Sequence, residues 1–413
     1  MTYEESVRFL YSLGNELKAA KYDLVRIRAI LAALGDPHLR GRFVHVAGTN
    51  GKGSTCAMIE SGLRAAGFHT GLYTSPHLAE PTERIQIAGR PMTRDEFAAA
   101  FDRVHQCAES LMADGRIDQH PSYFETVTAM AFVTQPAVCD WIVLEVGMGG
   151  RLDATNVVEP KLCVITPVDF DHEAWLGRSI ESIAFEKAGI LKPGVPAVIT
   201  PQRPEADLVI RRRAAELGVE LIDPRNWEIE NPQVDREGSR FQLGRLSITC
   251  PLAGEHQIEN ARTAAVALET LGVPGAAIQA GIAGARWPGR LERVSRDPEI
   301  IVDGAHNPAG ARALAAYLDR FYADQPLTLI YGAMRDKAVE EVTGTLFPRF
   351  AKVIVTAPRQ PRALAPESFL ELVDHPDIKT APDLGAALQQ AKGTTFITGS
   401  LFLVAEARQL LCP

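Results

Sequence analysis

Cysteine is scarce and unpaired in this sequence. Six cysteines, at 56, 107, 139, 163, 250 and 412, are spread over 413 residues, and no two form a CxxC pair. That spacing argues against a disulfide or zinc framework and fits a reducing compartment. No apolar run approaches the roughly 20 residues of a membrane-spanning helix. The start, Met1-Thr2-Tyr3-Glu4-Glu5, lacks the basic and then apolar layout of a signal peptide. Positive charge is also short. Lys and Arg total 43 against 51 Asp and Glu, a formal net charge of -8, which argues against nucleic acid as the main partner. There is no internal repeat and no low-complexity tract. These absences together predict a cytoplasmic protein that is not bound to a membrane.

What is present is an ordinary globular composition, 46% hydrophobic and 23% charged. The length exceeds one ordinary core, so two domains are expected. The chain turns on residues 43–55. A β-branched apolar run, Phe43-Val44-His45-Val46-Ala47, stops at Gly48. A tight loop, Thr49-Asn50-Gly51-Lys52-Gly53-Ser54, follows, and Met58, Ile59, Leu63 and Ala66 then recur at helical spacing. Strand, glycine loop and helix in that order form a phosphate cradle. Backbone N–H groups and the helix N-terminus face the anion, Lys52 adds a point charge, and the Ser54 hydroxyl can reach the accompanying Mg²⁺. The spelling departs from the standard P-loop, because Gly53 stands between the Lys and the Ser.

Along the rest of the chain, two helices are expected over residues 3–35, broken near 20–23. Strands are expected at 69–73, 140–146, 162–166 and 197–200, with a small hairpin at 85–90. Helices are expected at about 94–113, 124–134 and 179–191. Short alternating stretches in 226–250 predict antiparallel strands added to the first domain. Helices at about 258–271 and 275–285 lead to a linker at 286–290. A second α/β unit has strands at 299–302, 327–331, 352–356 and 394–398. The alternation predicts parallel sheets with helices on both faces.

Polar residues collect after the strands, where open parallel sheets bind ligands. Ser75 follows one strand, Glu145 closes an otherwise apolar one, and His172 follows a third. A hydroxyl, a carboxylate and an imidazole together suit Mg²⁺ or Mn²⁺. The bland alternatives pair Glu145 with Arg151 or Lys187, and make His172 a turn residue. Lys187 on a helix face would ordinarily be solvated. Asp303-Gly304-Ala305-His306-Asn307-Pro308 marks a second ligand edge, or else an Asn307 helix cap with a turn Asp. Asn260 and Arg290 look unremarkable on spacing alone.

Read together, His45 to Ser54, Thr74-Ser75-Pro76-His77-Leu78, Leu144 to Asn156, Glu186-Lys187-Ala188-Gly189-Ile190 and Asp303 to Pro308 resemble the folylpolyglutamate synthases, with or without dihydrofolate synthase activity. These are Mur-type, ADP-forming amide ligases. The likeness runs in register from about Ser6 to Ser400, and the Lys-Gly-Ser spelling is the one this family uses. The resemblance implies an N-terminal P-loop ATPase-like, mostly parallel α/β domain with a small antiparallel addition (1–288), and a smaller Rossmann-like C-terminal domain (289–413) that closes over glutamate and ATP. It implies that ATP phosphorylates a substrate carboxylate and that the amine of L-glutamate displaces phosphate from the acyl phosphate.

By position, the resemblance assigns ATP to Thr49, Asn50, Gly51, Lys52, Gly53, Ser54, Asn260, Arg290 and Asp303. It assigns one Mg²⁺ to Ser54 and a second metal to Ser75, Glu145 and His172, with room for a monovalent cation. Lys52, Lys187, His172, Asp303 and His306 are the expected catalytic residues, Lys187 being carbamylated. Tyr22, Asp23 and Leu24, Ser122 to Glu125 (Ser122, Tyr123, Phe124, Glu125) and Leu152, Asp153 and Ala154 match the dihydropteroate pocket of bifunctional members. The expected substrates are dihydropteroate, folates, L-glutamate and ATP, and the expected state is a monomer. The competing readings are a folylpolyglutamate synthase alone, a Mur-type ligase for another acceptor, and a P-loop nucleotide switch.

Overall fold

The first strand of the chain, Phe43–Ala47, is buried along its whole length, as a strand covered on both faces requires. In the computed structural model, which describes residues 1–13, 23–335 and 338–412, it is the centre of the larger sheet. Among the described residues that sheet holds β1 (Phe43–Ala47), β2 (Thr70–Tyr73), β3 (Ile85–Ile87), β4 (Arg90–Pro91), β5 (Trp141–Glu145), β6 (Leu162–Ile165), β7 (Ala197–Ile199) and β8 (Leu221–Ile222). Their order is β4-β3-β2-β5-β1-β6-β7-β8. The chain moves outward from β1 to β2, returns through β5 and crosses to β6. All pairings from β2 through β8 are parallel, and the β2–β3–β4 edge is antiparallel. The direction of winding therefore reverses around β1, and crevices at such reversals receive ligands. In register, Val46 lies opposite Glu145 and Val164.

The expected helices at 94–113 and 124–134 form as Arg94–Ala113 and Tyr123–Thr134. Each begins with a capping box, Thr93 with Glu96 and Ser122 with Glu125, which satisfies two otherwise orphaned N–H groups. The helix Lys52–Ala65 after β1 is buried on almost every side. It is crossed closely by Gly275–Gly284, where a Cβ on Gly281 would lie 2.3 Å from the Gly62 Cα. Only small residues permit that backbone approach. Described residues 1–168, 179–228 and 260–284 form one unit, with Phe43, Phe97, Phe101, Phe132, Ile142 and Leu144 in its core.

Residues 169–178, 229–259 and 285–412 form the second. Its main sheet has the order β12-β13-β17-β14-β15-β16, from β12 (Glu292–Arg296), β13 (Glu299–Val302), β14 (Thr328–Tyr331), β15 (Lys352–Val355), β16 (Ile378–Thr380) and β17 (Thr395–Thr398). Leu314, Leu318, Leu329, Phe347, Val353 and Phe396 fill its core. The antiparallel sheet β9 (Ile229–Val234), β10 (Ser239–Leu243) and β11 (Leu246–Cys250) was expected to extend the first domain. It associates instead with the second unit, because its turn is tied there. The Tyr317 hydroxyl donates to the Arg236 carbonyl at 2.8 Å, Arg236 donates to the Phe321 carbonyl at 2.6 Å, and Arg293 meets Glu237 at 2.9 Å. Turn-to-side-chain bonds of this kind have no periodic signature. Of the two helices expected over 3–35, Tyr3–Ser12 and Val25–Ala33 are present, and the break between them lies outside the described residues. No helix among the described residues is long and apolar enough to cross a membrane.

Candidate active site

In the first unit the loop after β1 has the shape of a cradle. Gly48 has φ +148°, and a Cβ there would lie 1.8 Å from the Thr166 Oγ1. Gly51 has φ +82°, and a Cβ there would lie 2.4 Å from the Asn260 Oδ1. Both positions need glycine on conformation and on space. Thr49 and Asn50 donate their backbone N–H groups to the Pro167 carbonyl, at 2.9 and 3.3 Å. Lys52 opens the following helix and folds back, its Nζ 3.2 Å from the Gly48 carbonyl and 3.3 Å from that of Thr49. Ser54 is buried in the helix's first turn. Asn260, ordinary on spacing alone, is buried against the loop.

Ser75 and Glu145 meet as expected. The Ser75 N–H donates to the Glu145 Oε2 at 3.2 Å, and the carboxylate is buried at the end of β5. Glu145 does not pair with Arg151, whose guanidinium goes to Glu186 at 2.8 Å. Lys187 departs from the solvated reading. It is 4% exposed, and its Nζ donates to the Gly48 carbonyl at 2.8 Å, so the lysine reaches the back of the phosphate loop. His172 belongs with the second unit, on the segment 169–178.

The stretches matched to a pterin pocket divide by role. Ser122 and Glu125 cap their own helix, the Ser122 N–H donating to Glu125 at 2.8 Å. Glu125 also holds Arg26 in a buried ion pair at 3.1 Å. Tyr123 stacks on Tyr11 with ring centroids 5.7 Å apart, and Arg84 lies 4.9 Å over its ring. The Phe124 ring rests against Gly147, where a Cβ would come within 2.5 Å of it. Asp153 is turned inward, accepting from the Met148 N–H at 2.9 Å and the Thr155 N–H at 3.0 Å. Burial pushes its carboxyl up, and these hydrogen bonds pull the other way. The Thr155 hydroxyl donates to Asp153, so it accepts from the His45 Nε2 at 2.9 Å. A hydrogen-bonded chain thus runs from β1 to the loop after β5. Leu152 and Ala154 flank Asp153, and Ala154 joins the core. The Asp23 Oδ1 accepts the Val25 N–H at 3.0 Å, beside Leu24. Tyr22 lies outside the described residues.

Sequence reasoning missed Arg84 and gave His77 no role beyond its motif. Arg84 donates to the His77 Nδ1 at 2.9 Å, and the His77 Nε2 lies 3.3 Å from the Tyr11 hydroxyl. Burial, with Arg84 adding to it, pulls His77 down to about 3, so it is a neutral ring that fixes Arg84. The His77 of the quoted Thr-Ser-Pro-His-Leu motif was the available signal.

In the second unit Asp303 ends β13 and is buried. Its two oxygens accept the Leu291 and Ala305 N–H groups, each at 2.9 Å. Asn307 does cap the next helix, accepting from the Gly310 N–H at 2.8 Å, as the cap reading expected. The His306 Nδ1 lies 2.8 Å from the Gly304 carbonyl, and its Nε2 lies 3.6 Å from Asp171. Asp171 also accepts from the Asn307 amide at 3.3 Å and stands 3.9 Å from the His172 Nε2. Sequence reasoning gave Asp171 no role, although its place just after a strand end was visible. Arg290 is packed so closely on Gly304 that a Cβ there would lie 2.0 Å from its Nη1. It lines a cavity of about 320 Å³ with Arg286, Trp287, Leu291 and Arg293.

The Mur ligase middle domain family matches residues 46–268, and the Mur ligase glutamate ligase domain family matches 289–405. A folylpolyglutamate synthase of Lacticaseibacillus casei is 36% identical over 431 residues, covering 100% of this chain and 99% of its own length. A dihydrofolate synthase/folylpolyglutamate synthase of Bacillus subtilis is 34% identical over 411 residues, covering 95% of each. The structure of Mycobacterium tuberculosis folylpolyglutamate synthase complexed with ADP and AMPPCP superposes with a TM-score of 0.93 at 33% identity, covering 100% of this chain and 99% of that one.

Proposed function

We propose, from the premise that this chain belongs to the Mur ligase family and within it to the dihydrofolate synthase/folylpolyglutamate synthases, a division of labour among its residues. The enzyme is an ADP-forming ligase. It joins L-glutamate to dihydropteroate and to reduced folates at the expense of ATP. The observation that carries the assignment of residues is the phosphate cradle itself, with Gly51 against Asn260 and Lys52 at the mouth.

The N–H groups of residues 51–54, with Thr49 and Asn50 shaping the loop ahead of them, receive the ATP phosphates, and Lys52 neutralises charge that spreads over the transferring phosphoryl group. Asn260 holds the loop from behind. On the second unit, Asp303 and Arg290 serve the nucleotide, and His306 is oriented by the Gly304 carbonyl. The hard oxygen donors Ser54, Ser75 and Glu145 fit Mg²⁺, since a buried carboxylate calls for a cation or hydrogen-bond donors. Mg²⁺ there supplies charge neutralisation and geometry for the phosphates. A carbamylated Lys187 fits its surroundings, because the carbamate nitrogen keeps one N–H for the Gly48 carbonyl. Such a group supplies a fixed anion beside the cradle. The ring of Tyr123, with Arg84 above it, and Phe124 form the platform for the pterin. Ser122, Glu125 and Asp153 position that platform. The acyl phosphate must meet the glutamate amine before water, so both carboxylate and amine have to be held in place.

Phosphate release is the test. Purified protein with ATP, Mg²⁺ and L-glutamate is expected to release phosphate when either dihydropteroate or tetrahydrofolate is added. Release with tetrahydrofolate alone would remove the dihydropteroate role. Incubation with ¹³C-bicarbonate should give a carbamate carbon resonance that K187R lacks; its presence in K187R would remove Lys187 from that role.

A further inference from the structure

A second cluster of metal-ligating side chains lies away from the phosphate loop. His105 and Glu109 stand one turn apart on the helix Arg94–Ala113, and His120 precedes the cap of Tyr123–Thr134. One donor atom from each lies within 4.8 Å of the other two. The His105 Nδ1 is 3.2 Å from the His120 Nε2 and 4.0 Å from the Glu109 Oε1. In a tetrahedral zinc site with nitrogen and oxygen ligands, neighbouring ligand atoms are about 3.3 Å apart. The imidazole pair already meets that spacing. Glu109 is 55% exposed, so its carboxylate can swing the remaining distance without disturbing the core.

The orientation of His120 is a separate observation. Its Nδ1 lies 2.9 Å from the Pro121 carbonyl. A carbonyl can only accept, so the ring proton sits on Nδ1 and the Nε2 lone pair points at His105. Metal-binding histidines are oriented in this way, by a carbonyl or carboxylate behind the ring. Burial, the largest influence, holds His120 below the ordinary imidazole range, against the pull of the Pro121 carbonyl. Phe9 walls the pair, its centroid 4.6 Å from His105 and 5.1 Å from His120, and Phe101 stacks on His105 at 5.3 Å. Two imidazoles walled by aromatic rings thus stand beside an exposed carboxylate.

We propose that His105, Glu109 and His120 form a binding site for a divalent transition ion of the zinc type, with water as the fourth ligand. Two nitrogens and one carboxylate select such an ion over Mg²⁺. Binding replaces the His105–His120 hydrogen bond. His105 moves its proton from Nδ1 to Nε2, and no proton need leave the protein. The ion ties the helix Arg94–Ala113 to the segment that leads into Ser122. Its role is a structural clamp, independent of the assigned reaction.

The experiment uses the full chain, free of any affinity tag and stripped with chelator, titrated with Co²⁺ and followed by visible absorption. Wild type is expected to take up one Co²⁺ with ligand-field bands that one equivalent of Zn²⁺ abolishes. E109Q should weaken that uptake at least tenfold, and H120Q should abolish it. Zn²⁺ should raise the melting temperature of wild type and leave that of H120Q unchanged. E109Q alters an exposed side chain, so it reports on the site even where H120Q fails to fold. Cations taken up by the phosphate loop are told apart because they persist in both variants. The same bands with the same affinity in E109Q, or no Co²⁺ bands in wild type, would overturn the site.

Discussion

Gly51 and His45 show how far single residues govern this molecule. At Gly51, φ is +82° and the space for a Cβ is taken by the Asn260 Oδ1. An L-residue in the left-handed region costs roughly 1–2 kcal/mol, and the collision would also displace Asn260. G51A is therefore expected to lower kcat/KM for ATP at least tenfold while the protein stays folded. Steady-state kinetics with a melting curve checks this, and an unchanged KM for ATP would count against the cradle. His45 is fully buried, its Nδ1 has no hydrogen-bond partner among the described residues, and burial pulls it down to about 3, with Lys192 adding to the effect. Its folded-state value lies below the unfolded value near 6.5. The unfolded chain therefore takes up the proton first as pH falls. Stability is whole above the unfolded value and is lost from there downward, by about 2 kcal/mol between pH 7.5 and about 5. Urea titrations at those two pH values should show that loss in wild type and a smaller one in H45Q.

Among elements, the packing behind the cradle matters most. The helix Lys52–Ala65 carries the phosphate-facing turn at its start and is crossed at Gly62 by Gly281. A Cβ on Gly281 meets backbone, which cannot rotate away. G281A is expected to destabilise the protein by about 2–3 kcal/mol, the cost of overpacking, and to weaken ATP binding as the helix shifts. Denaturant unfolding and nucleotide titration of the same variant test both parts. A stability within about 0.5 kcal/mol of wild type, the range of an ordinary surface change, would mean the helices separate freely. The pterin platform depends similarly on Arg26 and Glu125, a buried pair whose partners cannot be removed singly without leaving a charge in the core.

Among the described residues, each unit has a hydrophobic core of its own. Two cores of this size need not unfold together. Scanning calorimetry is expected to show two transitions. ADP should raise the one belonging to the unit with the phosphate loop, by mass action on the folded state. A single transition with equal calorimetric and van't Hoff enthalpies would show that the two cores are one cooperative system.

Much of this was determined by the sequence alone, because the information is local. Residues 43–55 specify strand, loop and helix by their own alternation and by glycines that no other residue replaces. The capped helices at 94 and 123 and the buried strands are legible for the same reason, as is family membership, which rests on short motifs in fixed order. Tertiary structure alone decided which polar side chains face inward. Lys187 is a helical lysine like any other until the fold lays the Gly48 carbonyl 2.8 Å from its Nζ. Asp153 and Glu125 match pocket positions by motif, and only the fold shows that each also holds a loop or a cap together. The sheet at 229–250 joined the second unit through bonds to turn carbonyls. His105 and His120 are fifteen residues apart with no motif between them. Their meeting depends on the return of the chain after a helix, a long-range contact that no local pattern encodes.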